Sequence, residues 1–171
     1  MSKNSTTEIY EVSVQYSKKV IDQGAHLFWR KKMKTVFILG FLYLLATILL
    51  TATGTVDIGF GSICIGIGTI LIGILYLAYR SVRSRSMSIF DEMNSKEAIW
   101  IFTSDSFSTR SDVGTSKIVW KMMAGLIVSD EIWLFLYKNG SYSVLPVANI
   151  EQPVLDFIKD RVIAVGGEIM T

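Results

Sequence analysis

The chain has 171 residues, half of them apolar, a mean hydropathy of +0.42 and a formal net charge of +2. It is too apolar for an ordinary soluble domain and too evenly charged for a nucleic-acid binder. Its single cysteine (Cys64) and single histidine (His26) exclude an intrachain disulfide, a cysteine metal cluster and a two-histidine site.

In chain order, Glu8–Tyr16 (EIYEVSVQY) comes first. Tyr10, Val12, Val14 and Tyr16 form an apolar alternate set, which predicts a half-buried strand. Ser17–Lys34 is compatible with a helix leading into a bilayer, with Phe28 and Trp29 suited to an interfacial belt. His26 reads as an interfacial residue, not a catalytic base. Two runs without Lys, Arg, Asp or Glu follow, Thr35–Ala52 and Ile58–Tyr79, separated by a short segment whose sole charge is Asp57. Each is about 30 Å long as a helix, enough to cross the hydrocarbon core. The polar segment before the first run is too long for the n-region of a cleaved signal. The prediction is a transmembrane hairpin with spans at 35–53 and 58–79.

Charge orients it. Arg30, Lys31, Lys32 and Lys34 precede the hairpin, Arg80, Arg83 and Arg85 follow it, and the connecting loop has no Lys or Arg. Basic residues resist translocation, so both termini are expected in the cytoplasm of a bacterial inner-membrane protein. The same seven residues lie at head-group level and are the candidates for contact with membrane lipid. On the second span, Gly59, Ser62, Gly66, Thr69 and Gly73 are spaced 3-4-3-4, a stripe of small residues that predicts a close helix–helix seam. Gly40 and Ala46 of the first span are the nearest candidates to face it. A second protomer or a foreign membrane protein is the rival partner.

Arg80–Asn94 reads as an extension of the second helix. Six short β-type runs then follow: Glu97–Thr103, Ser106–Arg110, Ser116–Trp120, Gly125–Ser129, Ile132–Lys138 and Ser141–Pro146. Asn139-Gly140 between the last two is a hairpin signal of the type I′ kind. Pro153 opens an amphipathic helix with Val154, Phe157, Ile158, Arg161, Val162 and Val165 on one mostly apolar stripe, ended by Gly166-Gly167. The predicted fold class is therefore an α+β membrane protein. Its two-helix hairpin is inserted between the first and second strands of a small antiparallel β domain with a C-terminal helix. The predicted segments are 1–34 (strand and juxtamembrane helix), 35–79 (hairpin), 80–96 (extension) and 97–171 (β-rich domain). Ile132–Tyr137 is apolar on both faces. Trp133, Phe135 and Tyr137 share one of them, which is either core or an exposed partner face.

The run Lys117–Ile150 resembles the YcxB-like family of small bacterial membrane proteins. The resemblance rests on Trp120 ending a strand, the apolar strand Ile132–Tyr137, and the Leu145-Pro146 step before the C-terminal helix. It implies a pleckstrin-homology-like cytoplasmic domain and no known activity. Family members commonly carry a basic residue after that proline, where this chain has Val147.

No catalytic pattern is present. The glycines of GFGSICIGIG lie inside an apolar run with no following Lys-Ser/Thr, so they do not form a phosphate-binding loop. Asp91-Glu92 and Asp130-Glu131 are adjacent pairs whose side chains diverge, and GxSxG is absent. The expectation is a non-enzymatic tether that binds a protein partner or itself, with no cofactor or metal. The alternatives are an immunity protein against a membrane-targeting toxin and a sensor of anionic lipid. A channel would need polar pore-lining groups beyond Ser62 and Thr69.

Overall fold

The computed structural model describes residues 9–171, so the predicted strand start at Glu8 lies outside the described residues. The order is β1 (Tyr10–Gln15), α1 (Lys18–Ala52), α2 (Ile58–Glu92), β2 (Glu97–Phe102), β3 (Ser106–Ser111), β4 (Gly114–Val119), a 3-10 turn (Trp120–Met122), β5 (Met123–Val128), β6 (Ile132–Tyr137), β7 (Tyr142–Pro146), α3 (Gln152–Ala164) and β8 (Glu168–Met170). Two compact units result: residues up to Gly24 together with Ser86–Thr171, and Ala25–Arg85.

The first unit is an α+β domain of two four-stranded sheets, ordered β1-β2-β3-β4 and β7-β6-β5-β8. Every pairing is antiparallel except β5 with β8. β1 pairs with β2 along its whole length, Val12 opposite Trp100 and Val14 opposite Ala98. The first strand thus lies beside one more than eighty residues later, and both long helices are inserted between neighbours of one sheet.

Alternation decides which side chains face inward. Ala98, Trp100 and Phe102 of β2 are buried, and Phe107 of β3 lies opposite Phe102. Leu126, Trp133, Phe135 and Leu145 come from the second sheet and join the same core. Phe135 meets Trp100 and Phe107, each at 5.2 Å between ring centres. α3 seals the core with Val154, Phe157, Ile158 and Val162, Phe157 lying 5.0 Å from the Tyr10 ring. Trp120 leaves the strand predicted for it and enters the 3-10 turn, where its Nε1 donates to the Thr103 carbonyl at 2.9 Å.

The second face of β6 is also covered. At Gly24 of α1 an added Cβ would lie 2.5 Å from Val144 Cγ2 and 3.5 Å from Leu134 Cδ2, so the bare glycine lets the start of α1 lie against β6 and β7. Ser17 caps that helix, its Oγ accepting from the Val20 N–H. Glu131 fixes it from the other side. The Gln23 amide donates to Glu131 at 2.8 Å and the Lys19 ammonium lies 3.3 Å away, which together hold the Glu131 carboxyl below its usual range.

The β6–β7 hairpin forms where Asn139-Gly140 predicts it, but not as a type I′ turn. Gly140 is at φ +81 while Asn139 is not at positive φ, and the Asn139 side chain accepts from the Ser141 N–H at 3.0 Å. That Asx contact stabilises a longer loop with one left-handed residue. β8 is unforeseen by the pattern reading. A Cβ at Gly125 would lie 2.8 Å from the Glu168 carbonyl, so the glycine is what allows β8 to pair with β5.

Candidate functional site

Within Ala25–Arg85, two helices run against each other, and their stretches Val36–Ala52 and Ile58–Tyr79 carry no Lys or Arg. α2 is, among the described residues, the one helix long and apolar enough by itself to cross a membrane. α1 meets that standard only as a bent pair, Lys18–Lys31 with Val36–Ala52. The Val36–Ala52 arm alone rises about 25 Å, a little short of a typical hydrocarbon core of about 30 Å. Both helices carry exposed large apolar side chains, among them Phe41, Leu49, Ile63, Ile70 and Leu77.

The contact between them is not made by the predicted stripe. A Cβ at Gly61 would collide with the Thr51 side chain, and one at Gly68 would lie 2.9 Å from Leu44 Cδ2. Gly61 and Gly68 are buried with Cys64 half-buried between them, and the facing positions on α1 are Leu44, Thr47 and Thr51. Gly66 and Gly73 have nothing within 4 Å of an added Cβ, and Gly59 meets only Asp57 of its own cap. The stripe Gly59, Ser62, Gly66, Thr69, Gly73 therefore faces away from α1. Gly40 is likewise open and Ala46 exposed, so neither forms the contact. Both patterns have small residues every three or four positions, and the partner helix selects the one whose phase matches Thr51 and Leu44.

Polar groups in this unit are satisfied locally. Ser62 donates to the Ile58 carbonyl at 2.8 Å and Thr69 to the Ile65 carbonyl at 2.9 Å, so neither hydroxyl needs water. Asp57 caps α2 by accepting from the Gly59 N–H at 2.8 Å. At the opposite end of the pair, Trp29 and Tyr79 lie 5.6 Å apart, an aromatic contact between the two helices. The basic residues cluster at that same end of the sequence runs. Arg30, Arg80, Arg83 and Arg85 are exposed and Lys31 is half-buried, while the side chains of Lys32 and Lys34 lie outside the described residues.

The aromatic set on β6 is core. Trp133 is 3% exposed, Phe135 0% and Tyr137 7%, which removes the reading of this face as an open partner surface. Burial pushes the Tyr137 hydroxyl up to about 12, so it stays protonated and donates to Ser143 at 2.8 Å. The adjacent carboxylates Asp91-Glu92 and Asp130-Glu131 are all exposed surface groups, as expected, and two of them make contacts there. Asp91 pairs with Lys18 at 3.5 Å, and Glu131 holds the start of α1. Among the described residues no group of three His, Cys, Asp or Glu side chains could hold a metal ion.

Pattern reading missed a cavity of about 220 Å³ in the β domain. Its wall is assembled from separate segments: Ile89, Phe90 and Met93 at the end of α2, Ala98 and Trp100 of β2, and Val144 of β7. The turn leading out of α2 is tied down beside it. Asp112 accepts from the Asn94 and Ser95 N–H groups at 2.6 and 3.1 Å. Those bonds, Ser95's foremost, hold its carboxyl below the ordinary range. Lys96, at φ +54, donates its ammonium to the Phe90 and Asp91 carbonyls that end the helix. Compared with protein-family models, curated proteins and solved structures, the chain has no match.

Proposed function

We propose that this protein is a non-enzymatic integral protein of the bacterial inner membrane. A two-helix hairpin would tether a cytoplasmic β domain that binds a protein partner or a second copy of the chain. The observation that carries the topology is the pairing of β1 with β2. The two ends of the inserted helices return to one sheet, so the chain between them crosses a bilayer an even number of times. If α2 spans, α1 must cross as well, and the five residues between Ala52 and Ile58 are too few to do so in its place. The bend in α1 and the shortness of Val36–Ala52 are compatible with a span whose basic end lies in the head groups. The basic residues at 30–34 and 80–85, with none in the loop, favour a cytoplasmic domain.

The pleckstrin-like architecture of the YcxB-like family belongs to the same proposal. The resemblance implies a pleckstrin-homology-like domain, and a β domain carrying a C-terminal helix, with helices inserted after its first strand, is compatible with it. The stripe at Gly59, Ser62, Gly66, Thr69 and Gly73 is left open by the intrachain contact, which favours it as the face that meets another membrane helix.

Crosslinking in native membranes is expected to capture a protein partner or a dimer. Gly66→Leu should reduce that species several-fold while leaving the chain in the membrane. Monomer alone under all conditions, or a product indifferent to Gly66→Leu, would count against this assignment of the stripe and the assembly role.

A further inference from the structure

An open cavity lies at the end of α2, and its walls limit what can enter. None of its lining residues is charged. An ionised group moved into it would lose its hydration without a partner, so the occupant is neutral. Most of the hydroxyls in the wall are engaged, Ser111 with the Gly114 carbonyl at 3.4 Å, and Thr109 adds one further polar group to the lining. Tyr16 donates to the Val144 carbonyl at 2.8 Å and accepts from Trp100 Nε1 at 3.1 Å. Tyr142 and Ser86 lie 3.1 Å apart and bond to each other, and Ser143 accepts from Tyr137. Burial raises the Tyr16 hydroxyl far above its ordinary range, which keeps it protonated in that role. The rest of the wall is mainly apolar, Ile89, Phe90, Met93, Ala98 and the faces of Trp100 and Val144 among it, which favours an apolar occupant.

Size and lip narrow the class further. At about 220 Å³ the space exceeds the cavity of about 150 Å³ that takes up benzene and otherwise stays dry. Ile89 and Val113 at its edge remain 54% and 43% exposed, an apolar lip that an entering chain would cover. The wall cannot easily close over the space, because Asp112 and the left-handed Lys96 pin the end of α2 to the first sheet. A non-glycine residue in that conformation persists where its surroundings over-determine it, and such positions gather at functional sites.

We propose that this cavity binds one neutral aliphatic chain, supplied either by the tail of a bilayer lipid or by a soluble long-chain alcohol. The reading is independent of whether the chain self-associates.

The test uses the full chain in lipid nanodiscs with Trp29→Phe, so that tryptophan emission comes from the β domain. One arm places dibrominated acyl chains in the bilayer lipid, and the other adds 8-bromo-1-octanol to nanodiscs of ordinary lipid. Bromine against Trp100 should give saturable quenching in one arm, which identifies the source. Ala98→Leu should fill the space and abolish the quenching without lowering the thermal midpoint. Ile89→Glu, at an exposed position that folding tolerates, should weaken the apparent affinity by about tenfold or more. Absence of saturable quenching in both arms, or quenching that neither variant reduces, would overturn the proposal.

Discussion

Trp100→Ala is expected to remove about 3–5 kcal/mol from the stability of the β domain, the range for deleting a large aromatic side chain from a packed core. Trp100 is 1% exposed and lies at the centre of the aromatic stack, with ring centres 5.8 Å from Phe102, 5.9 Å from Phe107 and 5.2 Å from Phe135. Its Nε1 also donates to Tyr16. The truncation would merge the void it leaves with the neighbouring cavity, so the site has little to collapse onto. A domain of this size is typically held by about 5–15 kcal/mol, so the variant should be largely unfolded at moderate urea, while Trp100→Phe is much milder. Denaturant titration followed by near-ultraviolet circular dichroism reads the difference. A loss below about 1 kcal/mol would mean that the aromatic stack does not form the core.

Ile70→Arg separates a membrane helix from a solvent-exposed one. Ile70 lies mid-way along the apolar part of α2 and is 65% exposed. In water, an arginine at such an exposed position changes stability by about 0.5 kcal/mol or less. In a bilayer, the same residue near the helix centre costs about 2.5–3.5 kcal/mol of insertion free energy. The expected result is a clear fall in the fraction that resists alkaline carbonate extraction, with Ile70→Leu unaffected. Equal retention of Ile70→Arg and Ile70→Leu would mean that this face of α2 does not meet lipid.

These two residues also mark what was legible in the sequence. Alternation placed Tyr10, Val12 and Val14 on one side of β1, and six further strands and α3 lie within a few residues of their predicted bounds. Such elements are specified locally, by period and by turn residues. What was not legible depended on partners distant in sequence. The three residues of β8 carry no pattern of their own and become a strand because Gly125 leaves room beside β5. The small-residue stripe had the right spacing and the wrong phase for the intrachain contact. Gly61 and Gly68 satisfy the same rule as Gly66 and Gly73, and only Thr51 and Leu44 opposite them decide. Trp133, Phe135 and Tyr137 sit on a strand apolar on both faces, so alternation alone could not say that both faces are covered. The cavity draws its wall from both sheets and both long helices, and no single segment signals it.

The central claim is that the inserted helices cross a membrane twice and return to one folded domain. Cysteine accessibility in intact cells tests it most directly. Thr55→Cys in the loop and Asn139→Cys in the β6–β7 turn, each in a Cys64→Ala background, place one exposed thiol at each site. The account predicts that a membrane-impermeant maleimide labels position 55 in intact cells and position 139 only after lysis. Labelling of both positions from the same side would contradict the two crossings, and the reverse pattern would contradict the cytoplasmic placement of the β domain.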